Sequence, residues 1–377
     1  MPTLRLWAAP VVRKVAVIGH PLAAEENRLA FAGWTDLRVD LILPKVWKAR
    51  SLGHVYTAPA VPRDGQPAMH ALPTIATGRN SLFLWVGLGL LMRRLKPDAI
   101  YCWAEPWCLS TWQVGRVARE LGVPLIFYTA ENRPKRLPWP FPMILRSVFA
   151  TARACVAPTE EISERIRASG FSGRIFTIPL WIRPRRPLKA DAAGRCLAYV
   201  GRLVPLKRVD ILIESLAHLP GYELRIIGDG PERTRLTGLA EGLGLASRVH
   251  FRGHIENGSL ESGLEGASLV VVPTAENPRQ AEQFGKAALE GVSFGLPVLA
   301  SRTGNLAVLA GEFPTLSALD LDTPVQLAQA VSAVFREYPG EDALSGSRKL
   351  AEDCYGPSAA ARRLEAAFSE LAAGGLP

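Results

Sequence analysis

Apolar and polar positions along the first half of the chain follow a regular order of short strands and helices. Apolar runs rich in β-branched residues predict strands at 14–19, 37–43, 99–102, 124–128 and 155–157. The spacing between these runs predicts helices at 27–34, 81–95, 109–121 and 160–169. Continuously apolar strands separated by helices are typical of a parallel sheet covered on both faces.

The same order restarts after a linker, Ile182–Leu188, which combines proline with arginine as domain boundaries often do. Beyond it the pattern predicts strands at 196–200, 222–227, 248–252, 268–272 and 297–300. Helices are predicted at 208–218, 232–242, 285–293, 325–338 and 357–373. We therefore expect two Rossmann-like domains, 1–182 and 183–356, and a terminal segment, 357–377. Ligands of such sheets bind at the carboxyl ends of the strands.

The composition supports two domains in a reducing compartment. A chain of 377 residues exceeds what one hydrophobic core usually supports. The five cysteines show no paired short spacing, which argues against a disulfide framework or a zinc site. The apolar run at 7–12 is too short for a signal peptide, and no run reaches the roughly 18 residues of a membrane span. We expect a cytoplasmic protein.

The charge is unevenly distributed along the chain. Its net charge is +9, with +11 in residues 1–180 and −2 in the remainder. A basic first half suits an anionic membrane surface or an anionic acceptor, or it is a solvated basic surface. The stretch 133–146 mixes cations with Trp, Phe, Ile and Leu. It is either a peripheral contact with the inner membrane face or a proline-rich loop that enters a core helix.

A first candidate site follows the strand at 196–200. Gly201 allows a ligand to approach the backbone closely, and Arg202 offers a bidentate fork to phosphate oxygens. Lys207 adds a mobile positive charge just before a predicted helix, whose N-terminus also favours anions. Together they suggest a diphosphate clamp, and the alternative is a surface loop with two solvated cations. Gly228 lies in a second tight turn between a strand and a helix.

Two glutamates, Glu282 and Glu290, have seven residues between them. Between them a loop opens a helix at Gly285, and Glu290 lies about one and a half turns inside that helix. Its neighbours are Ala, Leu, Val and Phe, so the carboxylate needs a partner. Ligand hydroxyls are suitable partners because an ionised carboxylate accepts strong hydrogen bonds. The alternative is two surface glutamates.

The order and spacing of these motifs over residues 195–305 resemble the retaining family 4 glycosyltransferases, also called group 1. The resemblance implies a GT-B fold: an α/β chain with two Rossmann-like domains that face each other across a cleft. The C-terminal helix of such proteins crosses back to the N-terminal domain. The family needs neither a metal nor a cofactor, and its co-substrate here would be a nucleotide diphosphate sugar of UDP or GDP type.

The resemblance also implies roles for single residues of the second half. Arg202 and Lys207 would hold the donor diphosphate. Glu290 would bind the ribose hydroxyls, and Glu282 would contact hydroxyls of the transferred sugar. Two short segments would supply the remaining donor contacts. The backbone of Phe284, Gly285 and Lys286 would contact sugar and phosphate. His254 and Ile255 would contact the base.

The first half resembles the family less closely. Gly19 follows the first strand, where a glycine loop near the donor phosphate is expected. Many family members have a histidine where this chain has Ala130. Glu105 and Glu131 are therefore candidates for contacts on the sugar or acceptor side, and each is otherwise a structural cap.

The predicted function is that of a retaining glycosyltransferase with a hydroxyl acceptor, in cell-envelope, polysaccharide, glycolipid or natural-product glycoside synthesis. The acceptor is a sugar, a lipid or a small molecule. The alternative is a non-catalytic nucleotide-sugar-binding protein. A dinucleotide fingerprint and a P-loop are both missing from the sequence, so neither a Rossmann oxidoreductase nor a nucleoside triphosphatase is supported. No module for nucleic acid accompanies the net charge.

Overall fold

The computed structural model describes residues 13–49, 54–59, 67–191, 193–277 and 281–373. The chain divides into two compact units. The first comprises Met1–Glu131, Lys135–Trp181 and Pro357–Pro377, and the second comprises Asn132–Pro134 and Ile182–Gly356. The stretches 1–12, 50–53, 60–66, 192, 278–280 and 374–377 fall within the predicted domains and terminal segment but lie outside the described residues.

The first unit is built on a seven-stranded sheet in which all strands are parallel. The strands of this unit are β1 (Lys14–Ile18), β2 (Arg38–Pro44), β3 (Val46–Ala49), β4 (His54–Thr57), β5 (Ala68–Leu72), β6 (Thr74–Ile75), β7 (Leu84–Trp85), β8 (Ala99–Cys102), β9 (Leu125–Tyr128), β10 (Ala152–Ala157) and β11 (Arg174–Thr177). The main sheet has the order β11-β10-β9-β8-β1-β2-β5. The other four strands form two small antiparallel pairs, β3 with β4 and β6 with β7.

Helices cover both faces of this sheet, which explains why its central strands are apolar throughout. The helices are α1 (Leu29–Ala32), α2 (Leu88–Leu95), α3 (Leu109–Leu121), α4 (Phe141–Thr151), α5 (Glu160–Ala168) and, from the end of the chain, α13 (Pro357–Ala373). One face packs against α2, α3 and α4 through residues such as Met92, Val114 and Val148. The other face packs against α1 and α13 through Phe31 and Phe368.

The second unit repeats the design with six parallel strands in the order β14-β13-β12-β15-β16-β17. These strands are β12 (Cys196–Val200), β13 (Glu223–Ile227), β14 (Val249–Gly253), β15 (Leu269–Val272), β16 (Val298–Ser301) and β17 (Leu316–Leu319). Its helices are α6 (Val209–Ser215), α7 (Arg233–Gly242), α8 (Leu260–Leu264), α9 (Lys286–Ser293), α10 (Asn305–Glu312), α11 (Pro324–Arg336) and α12 (Glu341–Tyr355). The two parallel sheets confirm the predicted α/β, Rossmann-like class.

The structure corrects the helix predicted at 81–95. Its first part turns and then forms the short strand Leu84–Trp85, which pairs with Thr74–Ile75. The helix begins only at Leu88, after Gly87 adopts the left-handed backbone region at a φ of 79°. An apolar run of this kind suits a buried strand as well as a helix, so its composition does not distinguish them.

The prediction of a helix at 27–34 was also too long. Residues Glu25–Arg28 form a 3₁₀ turn, and the α-helix spans only Leu29–Ala32. Several elements were not predicted, among them β5 at the sheet edge and the long helix α12. Both carry mixed sequences with weaker apolar patterns than the central strands, since edge positions and helix surfaces face water.

The last helix, α13, is attached to the first unit by a buried carboxylate as well as by apolar packing. Glu365 is only 8% exposed. One of its oxygens accepts hydrogen bonds from the backbone N–H groups of Thr35, Asp36 and Leu37 at 2.8, 2.9 and 3.2 Å. These groups precede β2, so Glu365 joins the end of the chain to its beginning. Among the described residues, no helix combines the length and apolar character needed to cross a bilayer.

We expect Glu365→Ala to lower the free energy of unfolding by about 3 kcal/mol, because it leaves buried N–H donors without an acceptor. Glu370→Ala is the matched control on the same helix. The Glu370 side chain is 58% exposed and pairs with Arg174 at the surface, so its loss should cost less than about 1 kcal/mol. Chemical denaturation of the two variants measures both values, and equal losses would contradict the role given to Glu365.

Candidate functional site

The loops that follow β12 and β13 touch each other through glycine backbone. Gly201 follows β12, and Gly228 follows β13 with a φ of 145°. A Cβ added at Gly228 would lie 1.8 Å from the carbonyl oxygen of Gly201. A side chain at this position is therefore excluded by contact with backbone as well as by conformation. The sequence indicated Gly201 for the close approach of a ligand and Gly228 for a tight turn, and the structure shows that loop packing alone already requires Gly228.

Arg202 and Lys207, the two cations of the predicted clamp, differ in their surroundings. The backbone carbonyl of Arg202 accepts a hydrogen bond from the buried Tyr199 hydroxyl at 2.9 Å, while its guanidinium side is exposed. Lys207 ends a 3₁₀ turn just before α6 and is half-buried. The structure therefore presents one cation to solvent and holds the other among polar partners.

Lys207 and Glu282 form an ion pair. The Lys207 Nζ lies 2.5 Å from Glu282 Oε2. The Thr274 hydroxyl donates to the same oxygen at 3.3 Å, and the Gly285 N–H donates to Glu282 Oε1 at 3.3 Å. The side chains of Lys207 and Glu282 are only 24% and 14% exposed. The alternative of a surface glutamate is therefore wrong for Glu282, and the motifs at 201–207 and 282–290 meet in one cluster.

Helix α9 begins directly beside this cluster. Gly285 has a φ of 84°, and an added Cβ would lie 2.7 Å from Leu309 Cδ1, so this turn favours glycine on two grounds. Phe284 is buried, and its carbonyl accepts a hydrogen bond from the Asn305 amide at 2.7 Å. The first N–H groups of a helix have no partner within it and carry partial positive charge. Backbone N–H groups at Lys286 therefore suit an anion, and their contact with a sugar or a phosphate stays a prediction.

Glu290 lies inside α9 and is 5% exposed, so it is also not a surface residue. Its Oε1 accepts a hydrogen bond from the Asn257 side-chain amide at 2.5 Å and lies 4.0 Å from Lys286 Nζ. Arg185 in turn donates to the Asn257 side-chain oxygen at 2.5 Å and to its backbone carbonyl at 2.7 Å. The Arg185 guanidinium also stacks over the Phe294 ring at 5.0 Å.

Sequence reasoning missed Asn257 and Arg185, because neither belongs to a recognisable motif. The structure shows that they hold the Glu290 carboxylate in place. It also shows how the segment predicted to contact a base reaches this carboxylate. His254 is exposed and Ile255 is half-buried just after β14, and Asn257 follows two residues later. These positions are brought together with Glu290, while a contact with a base remains a prediction.

In the first unit, Glu105 caps the end of β9. Its two oxygens accept hydrogen bonds from the Thr129 hydroxyl at 2.6 Å and from the Ala130 N–H at 2.9 Å. Burial raises the pKa of this carboxyl to about 7, although these two hydrogen bonds lower it. This geometry matches the structural cap that the sequence offered as an alternative. It also places Ala130, where many family members have histidine, directly against Glu105.

Glu131 is mostly buried and forms an ion pair with Lys135. The Lys135 ammonium lies 5.1 Å from the centre of the Trp107 ring, which adds a cation–π contact. Gly19 is needed for a different reason, since a Cβ there would lie 2.7 Å from the Trp103 carbonyl oxygen. Roles of Glu131 and Gly19 toward a ligand remain predictions.

His20 is a titratable residue that the sequence did not single out. Its ring lies 4.6 Å from that of Trp47 and 5.6 Å from that of Phe83. Burial lowers the pKa of His20 to about 4, so the imidazole stays neutral near pH 7. Within the described part of the chain, its Nδ1 has no hydrogen-bond partner.

Comparison with known proteins finds similarity mainly in the second half of the chain. Residues 184–344 match the family model of the glycosyl transferases group 1. The chain is 34% identical over 167 residues to the D-inositol 3-phosphate glycosyltransferase of Mycobacterium marinum, covering 42% of this chain and 34% of that protein. It is 33% identical over 206 residues to an exopolysaccharide phosphotransferase of Streptomyces coelicolor, covering 52% of this chain and 20% of that protein. The chain thus spans well under half the length of these relatives.

Solved structures resemble nearly the whole chain. A sucrose-phosphate synthase from Thermosynechococcus elongatus matches with a TM-score of 0.72 and 17% identity, covering 95% of this chain and 99% of that one. Anabaena HepE, solved in complex with UDP, matches with a TM-score of 0.70 and 15% identity, covering 95% and 100%. At this identity the likeness shows the fold and not the activity.

The raised pKa of Glu105 predicts a pH dependence of stability. The folded state binds the proton more tightly than the unfolded chain, so the contribution is fully present below the ordinary pKa of 4.5 and is lost as the pH rises through about 7. The free energy of unfolding should therefore fall between about pH 5 and pH 8 in the wild type relative to Glu105→Gln. Glu120→Gln, which changes an exposed glutamate, is the control. A wild-type difference from Glu105→Gln that stays constant with pH would contradict the assignment.

Proposed function

We propose that the chain, whose residues 184–344 match the glycosyl transferases group 1, transfers a sugar from a nucleotide diphosphate sugar to a hydroxyl acceptor, with retention at the anomeric carbon. One observation carries the proposal. The Lys207 ammonium, the Glu282 carboxylate and the N-terminus of α9 meet in a single cluster, with 2.5 Å between Lys207 Nζ and Glu282 Oε2. Such a cluster offers both signs of charge to a ligand that carries phosphate and hydroxyl groups.

On the nucleotide side, Glu290 would accept hydrogen bonds from the ribose hydroxyls. Asn257 engages Oε1 of this carboxylate, and a carboxylate can accept several further hydrogen bonds. Arg185 fixes Asn257 through two hydrogen bonds, so the carboxylate is positioned before a ligand arrives. The exposed His254 and the half-buried Ile255 would lie along the base.

On the phosphate side, Lys207 would neutralise the charge that develops on the departing diphosphate. An ammonium has three donors, so Lys207 can keep its bond to Glu282 while it donates to phosphate oxygen. Arg202 is exposed and would donate hydrogen bonds to the same diphosphate, and the N-terminus of α9 adds partial positive charge. These cationic groups would stabilise the leaving group without a metal.

In the reaction, the bond between the anomeric carbon and the diphosphate oxygen breaks while the acceptor oxygen bonds to that carbon on the same face. The acceptor proton passes to the leaving phosphate. Glu282 would bind hydroxyls of the transferred sugar. In the first unit, Glu105 has both oxygens engaged by Thr129 and Ala130, which leaves Glu131 as the better candidate for a contact with a hydroxyl. The acceptor would be a saccharide, a glycolipid or a natural-product hydroxyl, supplied in the cytoplasm.

A nucleotide screen tests the donor site. HepE has been solved with UDP and with UDP-glucose, so UDP is the first ligand to try, followed by GDP and the corresponding sugars. A ligand at about 100 times its Kd stabilises the folded state by about 2.7 kcal/mol, which thermal unfolding detects. We expect Glu290→Gln to lose this shift and Glu261→Gln, an exposed glutamate on α8, to keep it. If no nucleotide shifts the melting temperature, the donor-site proposal is wrong.

Transfer itself is tested by Lys207→Ala and Glu282→Gln. Each should lower kcat by roughly 10²- to 10³-fold, as the loss of one group that stabilises developing charge does. Lys189→Ala, which removes an exposed lysine elsewhere in the unit, should leave turnover unchanged. Melting temperatures confirm folding, and NMR of the product reports the anomeric configuration. Unchanged turnover in the Lys207 and Glu282 variants would contradict the assignment of the site. A product with inverted anomeric configuration would contradict retention. If the wild type binds a nucleotide but shows no turnover, a non-catalytic binding protein is favoured.

A further inference from the structure

The outer surface of three neighbouring helices in the first unit is strongly basic. Arg93 on α2 pairs with Glu120 on α3 at 3.3 Å, and Arg119 on α3 bonds to the Thr151 hydroxyl on α4, so the three helices lie side by side. Their sequences contain five arginines and a single acidic residue, Glu120. All five arginines are exposed. We call this surface the basic helical face, and its cations are Arg93, Arg94, Arg116, Arg119 and Arg146.

Exposed aliphatic side chains border this face beside α2. Ile75, Leu82, Val86 and Leu90 are 62%, 45%, 44% and 73% exposed. The pairing of β6 with β7 and the hydrogen bond from the Val86 N–H to the Pro73 carbonyl bring Ile75 beside the segment that carries Leu82 and Val86. Leu90 lies in the first turn of α2, which begins two residues after Val86. Residues 74–96, which contain all four, include no Asp or Glu.

A second apolar element borders the face at the start of α4. Trp139 is 81% exposed and Met143 is 60% exposed. The opposite side of the same helix is anchored in the core by Ile144 and Val148. Single exposed apolar residues are normal, but this many large ones around one cationic surface indicate an interaction site.

We propose that the basic helical face and its apolar border form a docking surface for an anionic lipid bilayer. Apolar side chains that enter the headgroup region, combined with cations that attract acidic lipids, are the features of peripheral membrane binding. A second copy of the chain fits this surface poorly, because it would bring five arginines against five arginines. The proposal depends on the first unit alone and needs no glycosyl transfer.

Cosedimentation with lipid vesicles tests the proposal with the whole chain and without any nucleotide sugar. The probes are vesicles of phosphatidylcholine with and without phosphatidylglycerol. We expect binding to the vesicles that contain phosphatidylglycerol, little binding to pure phosphatidylcholine, and weakening by added salt. Equal binding to both, or to neither, would overturn the proposal. The vesicle experiment and the donor-site experiments are independent, so a negative result in one does not change the conclusion drawn from the other.

Two pairs of substitutions locate the surface. Val86→Ser with Leu90→Ser should weaken vesicle binding roughly tenfold, since two apolar side chains no longer enter the bilayer. Val308→Ser is the control, because Val308 is a 58% exposed valine in the second unit. Arg93→Gln with Arg94→Gln should weaken binding by roughly tenfold or more, and Arg302→Gln in the second unit is its control.

Unchanged binding in both surface variants, or an equal loss in the controls, would overturn the location. Analytical ultracentrifugation tests whether a second copy of the chain occupies this surface instead of a bilayer. If the wild type forms a dimer that the Val86→Ser, Leu90→Ser variant abolishes, and vesicles are not bound, the surface serves a second copy of this chain instead.

Discussion

Both units are built on a parallel sheet whose central strands are buried on both faces, and the positions of the candidate residues depend on this arrangement. In a parallel sheet all strands run in one direction, so the loops after them collect at one edge. In the second unit this edge receives Gly201 after β12 and Gly228 after β13, and their backbones touch where no Cβ would fit. Glu282, which lies between β15 and α9, reaches the same edge and pairs there with Lys207.

The second unit buries two carboxylates and supplies each with specific hydrogen-bond partners. Glu282 has Lys207, Thr274 and the Gly285 N–H, and Glu290 has Asn257. Burial of a charge is costly even when it is paired, and apolar side chains often stabilise a fold as well or better. Charges kept at this cost beside a helix N-terminus are better explained by preorganised ligand binding than by stability.

The first unit distributes its ionisable groups differently. Burial raises the pKa of Glu105 and lowers that of His20, so the same physical cause favours the neutral form of both groups. Five of its exposed arginines lie on α2, α3 and α4. This group of arginines is thus separate from the carboxylates at the strand ends of the unit.

Much of the fold and the core of the site could be predicted from the sequence. Apolar periodicity and loop motifs are properties of contiguous residues. Such local signals predicted the element order and both parallel sheets, and they singled out Lys207, Glu282 and Glu290. The prediction of a helix over all of 81–95 was wrong because it rested on a local signal alone. Its apolar run suits a strand equally well, and the pairing of Leu84–Trp85 with Thr74–Ile75 depends on a partner elsewhere in the chain.

Only the tertiary structure decided which of these residues act together. Lys207 and Glu282 are 75 positions apart, and Arg185 and Asn257 are 72 apart, so no local pattern links them. The sequence determined that the first half is basic, but not that five of its arginines lie on neighbouring helices bordered by Leu90 and Trp139. Such groupings arise because packing brings distant segments together, and that is a property of the folded chain and not of any short stretch of it.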